Sequence, residues 1–358
     1  MASIPPKITM LCNRDAYDRY IGKPDWDRLT GFAEPEWVEC SGAPPQSDEQ
    51  ETERLLAQRI GDAAALVLCG GAPRVTASLM ARLPALRIVG DMDGDRFAHR
   101  IDMEAAWERG LRVVDTTNGT SYPVAEWALA MMIICLRNAG MHFRGMISGK
   151  TSREYNERGY LDGDLTGKTV GLIGCGHIGR RLIKFLKPFE TPVFVFDPYL
   201  PREMADALGF TLTSLDNVLT KTQVIVCLAP ITPKTQGMIG VREIALIPSG
   251  AVFVNVSRGA IVDSNALIER LRRGDIVAGL DVFDPEPVPP DSELLSFSNV
   301  FLSPHIAGVT APSYPRMFTL MVDELDRFFS GHEPYFELLP RSIANRRGVA
   351  VGEVGKSE

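Results

Sequence analysis

Short runs of β-branched and other apolar residues alternate along the whole chain with stretches whose apolar residues recur every three or four positions. The first pattern is that of strands and the second that of helices, so the alternation predicts an α/β fold built on parallel sheets. A first set of strands is predicted at Ile8–Cys12, Glu36–Cys40, Ala65–Cys69, Arg87–Gly90 and Arg112–Asp115. Among them, Asp48–Ile60 is helical in composition and Ile101–Arg109 in spacing. A second set follows at Lys168–Gly174, Pro192–Asp197, Val224–Ala229, Ala251–Asn255, Val277–Asp281 and Asn299–Ser303. These runs are apolar throughout rather than alternating, which predicts burial on both sheet faces. Two long helices separate the sets: Val124–Asn138, preceded by the turn-rich segment Asn118–Pro123, and Pro312–Phe329. Gly149–Asp164 reads as a surface connection, and the polar tail from Arg341 as a loose end.

A length of 358 residues suggests two domains. With 45% hydrophobic and 23% charged residues, the chain has apolar material for two cores without disulfide or metal staples. The net charge of −7 argues against non-specific binding to nucleic acid or an anionic membrane. The longest near-uninterrupted apolar run, Trp127–Leu136, is shorter than the roughly 18 residues of a membrane span. Lys7, Asn13, Arg14 and Asp15 interrupt the first apolar stretch, unlike a signal peptide. Cys12, Cys40, Cys69, Cys135, Cys175 and Cys227 form no C-x-x-C pair. They read as buried thiols of a cytoplasmic protein, with no metal site expected.

The run Lys168–Ile173 leads into Gly174-Cys175-Gly176-His177-Ile178-Gly179, followed by a helix with Ile178, Leu182, Phe185, Leu186 and Phe189 on one face. In this context a G-x-G-x-x-G loop binds a dinucleotide: its glycines allow a tight turn, close approach of the pyrophosphate and helix–strand packing. The helix N-terminus adds free N–H groups and partial positive charge. Asp197 closes the next strand, where a carboxylate accepts the adenosine ribose hydroxyls and repels a 2′-phosphate, so NAD is expected over NADP. His177 is expected to act through its backbone N–H, and Cys175 as a packing residue.

Three more strands of this set run into polar residues: Val256-Ser257-Arg258, Asp281 through Glu286, and Pro304-His305. Ligands of an open parallel sheet lie beyond the carboxyl ends of its strands, so Asp197, Arg258, Asp281, Glu286 and His305 are directed to one edge. A guanidinium fork can hold a carboxylate and its adjacent carbonyl. An imidazole can deliver or remove a proton at that oxygen, and a carboxylate beside it fixes its orientation. Arg258, Glu286 and His305 beside a nicotinamide are what reduction of a 2-oxo acid needs.

These stretches resemble the D-isomer-specific 2-hydroxyacid dehydrogenases, the family of phosphoglycerate dehydrogenase and of glyoxylate and hydroxypyruvate reductases. The resemblance rests on Leu165–Gly174, the GCGHIG loop, Leu228–Thr235, Asn255–Gly259, Asp281–Pro287 and Ser303–Gly308, within about residues 118 to 308. It implies two doubly wound parallel-sheet domains with an interdomain cleft: a Rossmann NAD-binding domain over 118–308 and a flavodoxin-like substrate domain from 1–117 and 309–340, then a polar tail over 341–358. It also implies Arg258 as substrate binder, Glu286 as partner of the histidine and His305 as general acid/base. NAD contacts are implied at Gly174, Gly176, His177, Ile178, Gly179, Asp197, Ala229, Pro230, Thr235, Val256, Ser257, Arg258, Asp281, His305 and Gly308, with Asp281 facing the nicotinamide carboxamide. A homodimer through the NAD-binding domain is implied as well.

The chain departs from the family pattern in three places. The segment Gly90–Asp102 is about two residues longer than usual and carries Asp91, Asp93 and Asp95 where an anionic substrate is expected. Arg96 and Arg100 are candidates to neutralise them, or, with Arg74, to contact a larger or phosphorylated substrate. The loop Cys69–Pro73 is atypical, and Glu126-Trp127 stands where a Glu-His pair is common. Two other functions compete with a 2-oxo acid reductase. One is an NAD-binding regulatory module like the C-terminal-binding corepressors. The other is a formate- or phosphite-oxidising enzyme, against which Glu286 counts because formate-type relatives lack an acid beside the histidine.

Overall fold

The computed structural model describes residues 4–40, 49–94, 99–151 and 163–349. They form two compact units, 1–120 with 311–358, and 121–310.

In the unit made from both chain ends, five parallel strands lie in the order β2-β1-β3-β4-β5. They are β1 (Lys7–Cys12), β2 (Glu34–Glu39), β3 (Ala65–Leu68), β4 (Ile88–Asp91) and β5 (Arg112–Asp115). This is the flavodoxin-like order expected for the unit. Successive side chains of a strand point to opposite faces, and here each face has its own core. Ile8, Met10, Ala65, Val67 and Ile88 pack with Met317, Phe318, Met321, Val322 and Leu325 of helix Ser313–Phe329. Leu11, Leu66, Leu68 and Val89 pack on the other side with Leu79, Met80, Met103 and Ala106. Helices Arg14–Tyr20 and Lys23–Thr30 are additions to the predicted elements. The tail needs correction: Pro340–Arg347 is a helix whose Ile343 joins the core, so two buried residues anchor a segment that looks uniformly polar in sequence.

The second unit holds seven parallel strands in the order β12-β11-β10-β9-β6-β7-β8. They are β6 (Val170–Ile173), β7 (Val193–Phe196), β8 (Thr211–Leu212), β9 (Val224–Cys227), β10 (Val252–Asn255), β11 (Val277–Leu280) and β12 (Val300–Leu302). The order reverses between β6 and β9, the Rossmann switch point. Among the strands of the described residues, only the short exposed edge strand β8 lacks a counterpart in the sequence reading. The continuous apolar runs divide between two cores: Val170, Leu172, Val224, Val226, Val252 and Val254 face one side, and Ile173, Ile225, Cys227 and Phe253 the other. Helix Ser121–Leu136 covers the first side with Ala125, Ala128, Met131, Met132 and Cys135. By length and composition Thr117–Leu136 would suffice to cross a membrane, but more than half of it is buried, which accounts for its apolar character. Helix Ala139–Ile147 was not predicted, and most of the expected connection, residues 152–162, lies outside the described residues.

Candidate active site at the carboxyl edge of the seven-stranded sheet

The three glycines of the loop after β6 have distinct surroundings. Gly174 has φ +90°, and a Cβ there would lie 2.7 Å from the backbone of Ala229 at the end of β9. Gly179 has Cys175 Sγ and Gly174 O each 3.2 Å from where its Cβ would sit. Gly176, between them, has nothing within 4 Å of that position. A tight turn, open backbone and close packing in that order are the three requirements of a pyrophosphate cradle. Helix His177–Leu186 begins there, with no side chain capping its N-terminus. His177 and Ile178 are its first residues, and burial pushes the Cys175 thiol up to about 12, consistent with a packing role. These residues fit a dinucleotide.

Asp197 sits just beyond β7. Its Oδ2 accepts from the Cys175 N–H at 2.9 Å and its Oδ1 from the Tyr199 N–H at 3.0 Å. Each oxygen retains an acceptor position for a ribose hydroxyl. Beyond β9, Ala229 O accepts from the Ser257 hydroxyl. The Thr235 hydroxyl donates to Pro230 O at 2.6 Å, closing that loop on itself.

Beyond β10, the buried Asn255 braces the next turn. Its Nδ2 donates to Arg258 O at 3.1 Å and its Oδ1 accepts from Ser257 N at 3.0 Å. This brace was missed in the sequence, although an asparagine ending an apolar strand is a recognisable turn signal. Val256 is buried, and Arg258 is half-buried with Nη1 donating to Ser257 O at 2.8 Å. Gly259 is required by space, because a Cβ would lie 2.6 Å from Asp284 N and closer still to the Phe283 carbonyl.

His305 Nδ1 lies 2.5 Å from Glu286 Oε1, bringing together residues of the β11 and β12 loops. Glu286 Oε2 accepts from Phe283 N at 3.3 Å. A carboxylate can only accept, so Nδ1 carries the proton toward Glu286 and leaves Nε2 for another partner. His305 is 43% exposed at its side chain, which keeps that nitrogen accessible.

Asp281 is fully buried. Oδ1 accepts from the Ser303 hydroxyl at 2.5 Å and from Ile306 N at 3.0 Å, while Oδ2 accepts from Ala307 N at 2.9 Å. A carboxylate offers about four acceptor positions, so one remains on Oδ2. The Trp127 indole N–H donates to Ser303 Oγ at 3.1 Å. In the sequence Trp127 stands out only as a departure from the family pattern. Gly308 ends the same turn, half-buried. A cavity lined by Lys168, Gln223, Ser249, Asp275 and Asn299 lies at the opposite, amino-terminal edge of the sheet, away from all these groups.

In the other unit, Asp91 and Asp115 are register partners at the ends of β4 and β5, and both are buried. Burial raises the Asp91 carboxyl to about 7 despite Arg100, whose Nη1 lies 3.3 Å from its Oδ1 and also pairs with Asp93. Arg100 therefore pairs with two of the three acids, Asp91 and Asp93. Asp95 and Arg96 lie outside the described residues, and Arg74 is exposed.

Residues 129–307 match the family model for the D-isomer specific 2-hydroxyacid dehydrogenase NAD binding domain. The chain is 32% identical over 307 residues to a D-3-phosphoglycerate dehydrogenase of Methanocaldococcus jannaschii, covering 85% of this chain and 56% of that protein. The chain thus spans about half the length of the phosphoglycerate dehydrogenases it matches. It is 30% identical over 305 residues to a glyoxylate reductase of Korarchaeum cryptofilum, covering 85% of this chain and 89% of that one. A crystal structure of a phosphoglycerate oxidoreductase from Rhizobium etli superposes with a TM-score of 0.79 at 25% identity, covering 94% of this chain and 98% of that one. These relatives are named as dehydrogenases and reductases, which favours the enzymatic reading over the regulatory one. With a dinucleotide cradle whose glycines each have a separate spatial reason, and a family match spanning that cradle and the histidine pair, the chain belongs to the D-isomer specific 2-hydroxyacid dehydrogenases and carries their NAD-binding domain.

Proposed function

We propose that the protein interconverts a small 2-oxo acid and the corresponding D-2-hydroxy acid, using NAD. The observation that carries this reading is the 2.5 Å pair of His305 Nδ1 and Glu286 Oε1 on the sheet edge that also holds Arg258 and the glycine loop. NAD, when bound, supplies or accepts the hydride at the substrate's C2. Gly174, Gly176, His177, Ile178 and Gly179 hold its pyrophosphate and Asp197 its ribose. The loops carrying Ala229, Pro230, Thr235, Val256, Ser257 and Gly308 line its path. Asp281, expected to face the carboxamide, is instead fully buried beneath the turn that carries His305 and serves to hold that turn. Arg258 binds the substrate carboxylate and C2 oxygen with its planar fork. His305 Nε2 gives a proton to that oxygen during reduction and takes it back during oxidation, while Glu286 orients the ring.

In this reading the unit made from both chain ends, which includes helix Pro340–Arg347, selects the substrate, and residues 121–310 serve the dinucleotide. Exposure of Phe143, Met146 and Ile147 on helix Ala139–Ile147 supports a homodimer through the second unit. Six free cysteines support a cytoplasmic location. Neither nucleic acid nor a membrane is part of the proposed activity. The test is NADH oxidation with glyoxylate, hydroxypyruvate, pyruvate, branched and aromatic 2-oxo acids and 3-phosphohydroxypyruvate. Turnover of at least one, giving the D-hydroxy acid, is expected; tight NADH binding without turnover of any would overturn the reading.

A further inference from the structure

His305 has φ +53°, a left-handed conformation that a non-glycine residue keeps only where its surroundings impose it. The surroundings here are specific. His305 N donates to Asp281 O at 2.8 Å, and the next two amides donate to the Asp281 carboxylate. Three consecutive amides therefore close on one fully buried residue. A fourth donor, the Ser303 hydroxyl, reaches Oδ1 at 2.5 Å.

A serine hydroxyl rotates and can direct its proton to any acceptor in reach. Ser303 is not free to do so. The Trp127 indole is a donor only, and its N–H enters Ser303 Oγ at 3.1 Å. The hydroxyl accepts on that side and turns its proton toward Asp281. The indole is itself set against Phe301 of β12, with ring centroids 6.3 Å apart. The hydrogen bonds thus run from Trp127 to Ser303 to Asp281 and to the loop bearing His305, all within one unit.

We propose that Trp127 is a positioning residue for the reaction. Through Ser303 and Asp281 it fixes the backbone from which His305 projects, and so the location of Nε2 relative to the reacting oxygen. This rests on the reductase reading above. Trp127 touches no reacting group; its effect is on placement, to which proton transfer is sensitive, since an error of about 1 Å in a reacting group can cost ~100-fold in rate.

The experiment compares Trp127→Phe, Trp127→His, Ser303→Ala and Trp127→Phe/Ser303→Ala with wild type in the intact protein, using the best acid of the panel. Trp127→Phe keeps the aromatic packing and loses the N–H; Trp127→His keeps an N–H donor and loses much of the packing. Trp127→Phe is expected to lower kcat about tenfold with KM for NADH within about twofold. Trp127→His is expected to retain more kcat than Trp127→Phe. Ser303→Ala should match Trp127→Phe, and the double variant should be no slower than Ser303→Ala, because members of one relay are not additive. Hydrogen–deuterium exchange in the peptide spanning 303–308 should be faster in both single variants than in wild type. A packing role predicts the reverse: Trp127→Phe like wild type in kcat and exchange, Trp127→His worse. That order, or multiplicative losses in the double variant, would overturn the relay. Absence of wild-type turnover with every acid would instead remove the reductase reading, while the exchange comparison would still judge the relay from Trp127 to the His305 turn.

Discussion

Gly259→Ala adds one methyl group between Arg258 and the loop that presents Glu286. Its Cβ would lie 2.6 Å from Asp284 N, where ordinary contact begins at 3.4 Å, and the Phe283 carbonyl is nearer still. The two loops must therefore separate by at least 0.8 Å, the difference of those distances. Both obstructing groups are backbone, so no side chain can swing aside. Overpacking of this kind costs about 1–3 kcal/mol. For a unit of this size each kcal/mol corresponds to roughly 2–4 °C in melting temperature. The effect on rate is larger in proportion. Arg258 immediately precedes the glycine, and Glu286, which orients His305, follows the displaced carbonyl by three residues. A displacement larger than that lower bound between substrate binder and proton donor predicts a loss of about 100-fold or more in kcat/KM. Steady-state NADH oxidation gives that number, and a melting curve of the same sample shows whether the fold persists. Folded protein with kcat/KM within threefold of wild type would refute the coupling of the two loops through Gly259.

Asp197→Ala is expected to lower the preference for NAD over NADP, since the carboxylate that repels a 2′-phosphate is gone. Losing the hydrogen bonds of Asp197 to Cys175 N and Tyr199 N should also weaken NAD itself by about tenfold or more, and calorimetric Kd values for both dinucleotides check this. For Asp91, burial raises the folded carboxyl from 3.8 to about 7, so the folded protein holds the proton to a higher pH than the unfolded chain. The stability from this group is fully present below about pH 4 and is lost as pH rises through about 7. Asp91→Asn does not titrate, so its melting temperature should gain on wild type between pH 5 and 8; a constant difference would contradict the shift.

Most of the sheet architecture was legible because parallel strands buried on both faces leave uninterrupted apolar runs, as at Val224–Cys227 and over Val252, Phe253 and Val254. Strand ends moved by at most two residues, since side-chain patterning does not determine where the ladder hydrogen bonds stop. Elements with little apolar content were lost: β8 is exposed, and helix Pro340–Arg347 reveals itself through the packing of Ile343. The site residues could be chosen because each follows a strand of one parallel sheet, so topology alone collects Asp197, Arg258, Asp281 and His305. Their local partners were not legible. Nothing in sequence pairs Trp127 with Ser303, 176 residues away, or assigns three of Asp281's donors to the turn that carries His305. Such contacts depend on helix placement and loop conformation, which periodicity does not encode.

The most direct test of the proposed chemistry is His305→Ala, assayed for reduction of the best 2-oxo acid with NADH binding measured on the same preparation. Loss of general acid catalysis predicts a fall in kcat of about 10²–10⁴-fold with NADH Kd nearly unchanged. A variant that binds NADH and still turns over within tenfold of wild type would show that the proton comes from elsewhere, and the assignment of His305 and Glu286 would fail.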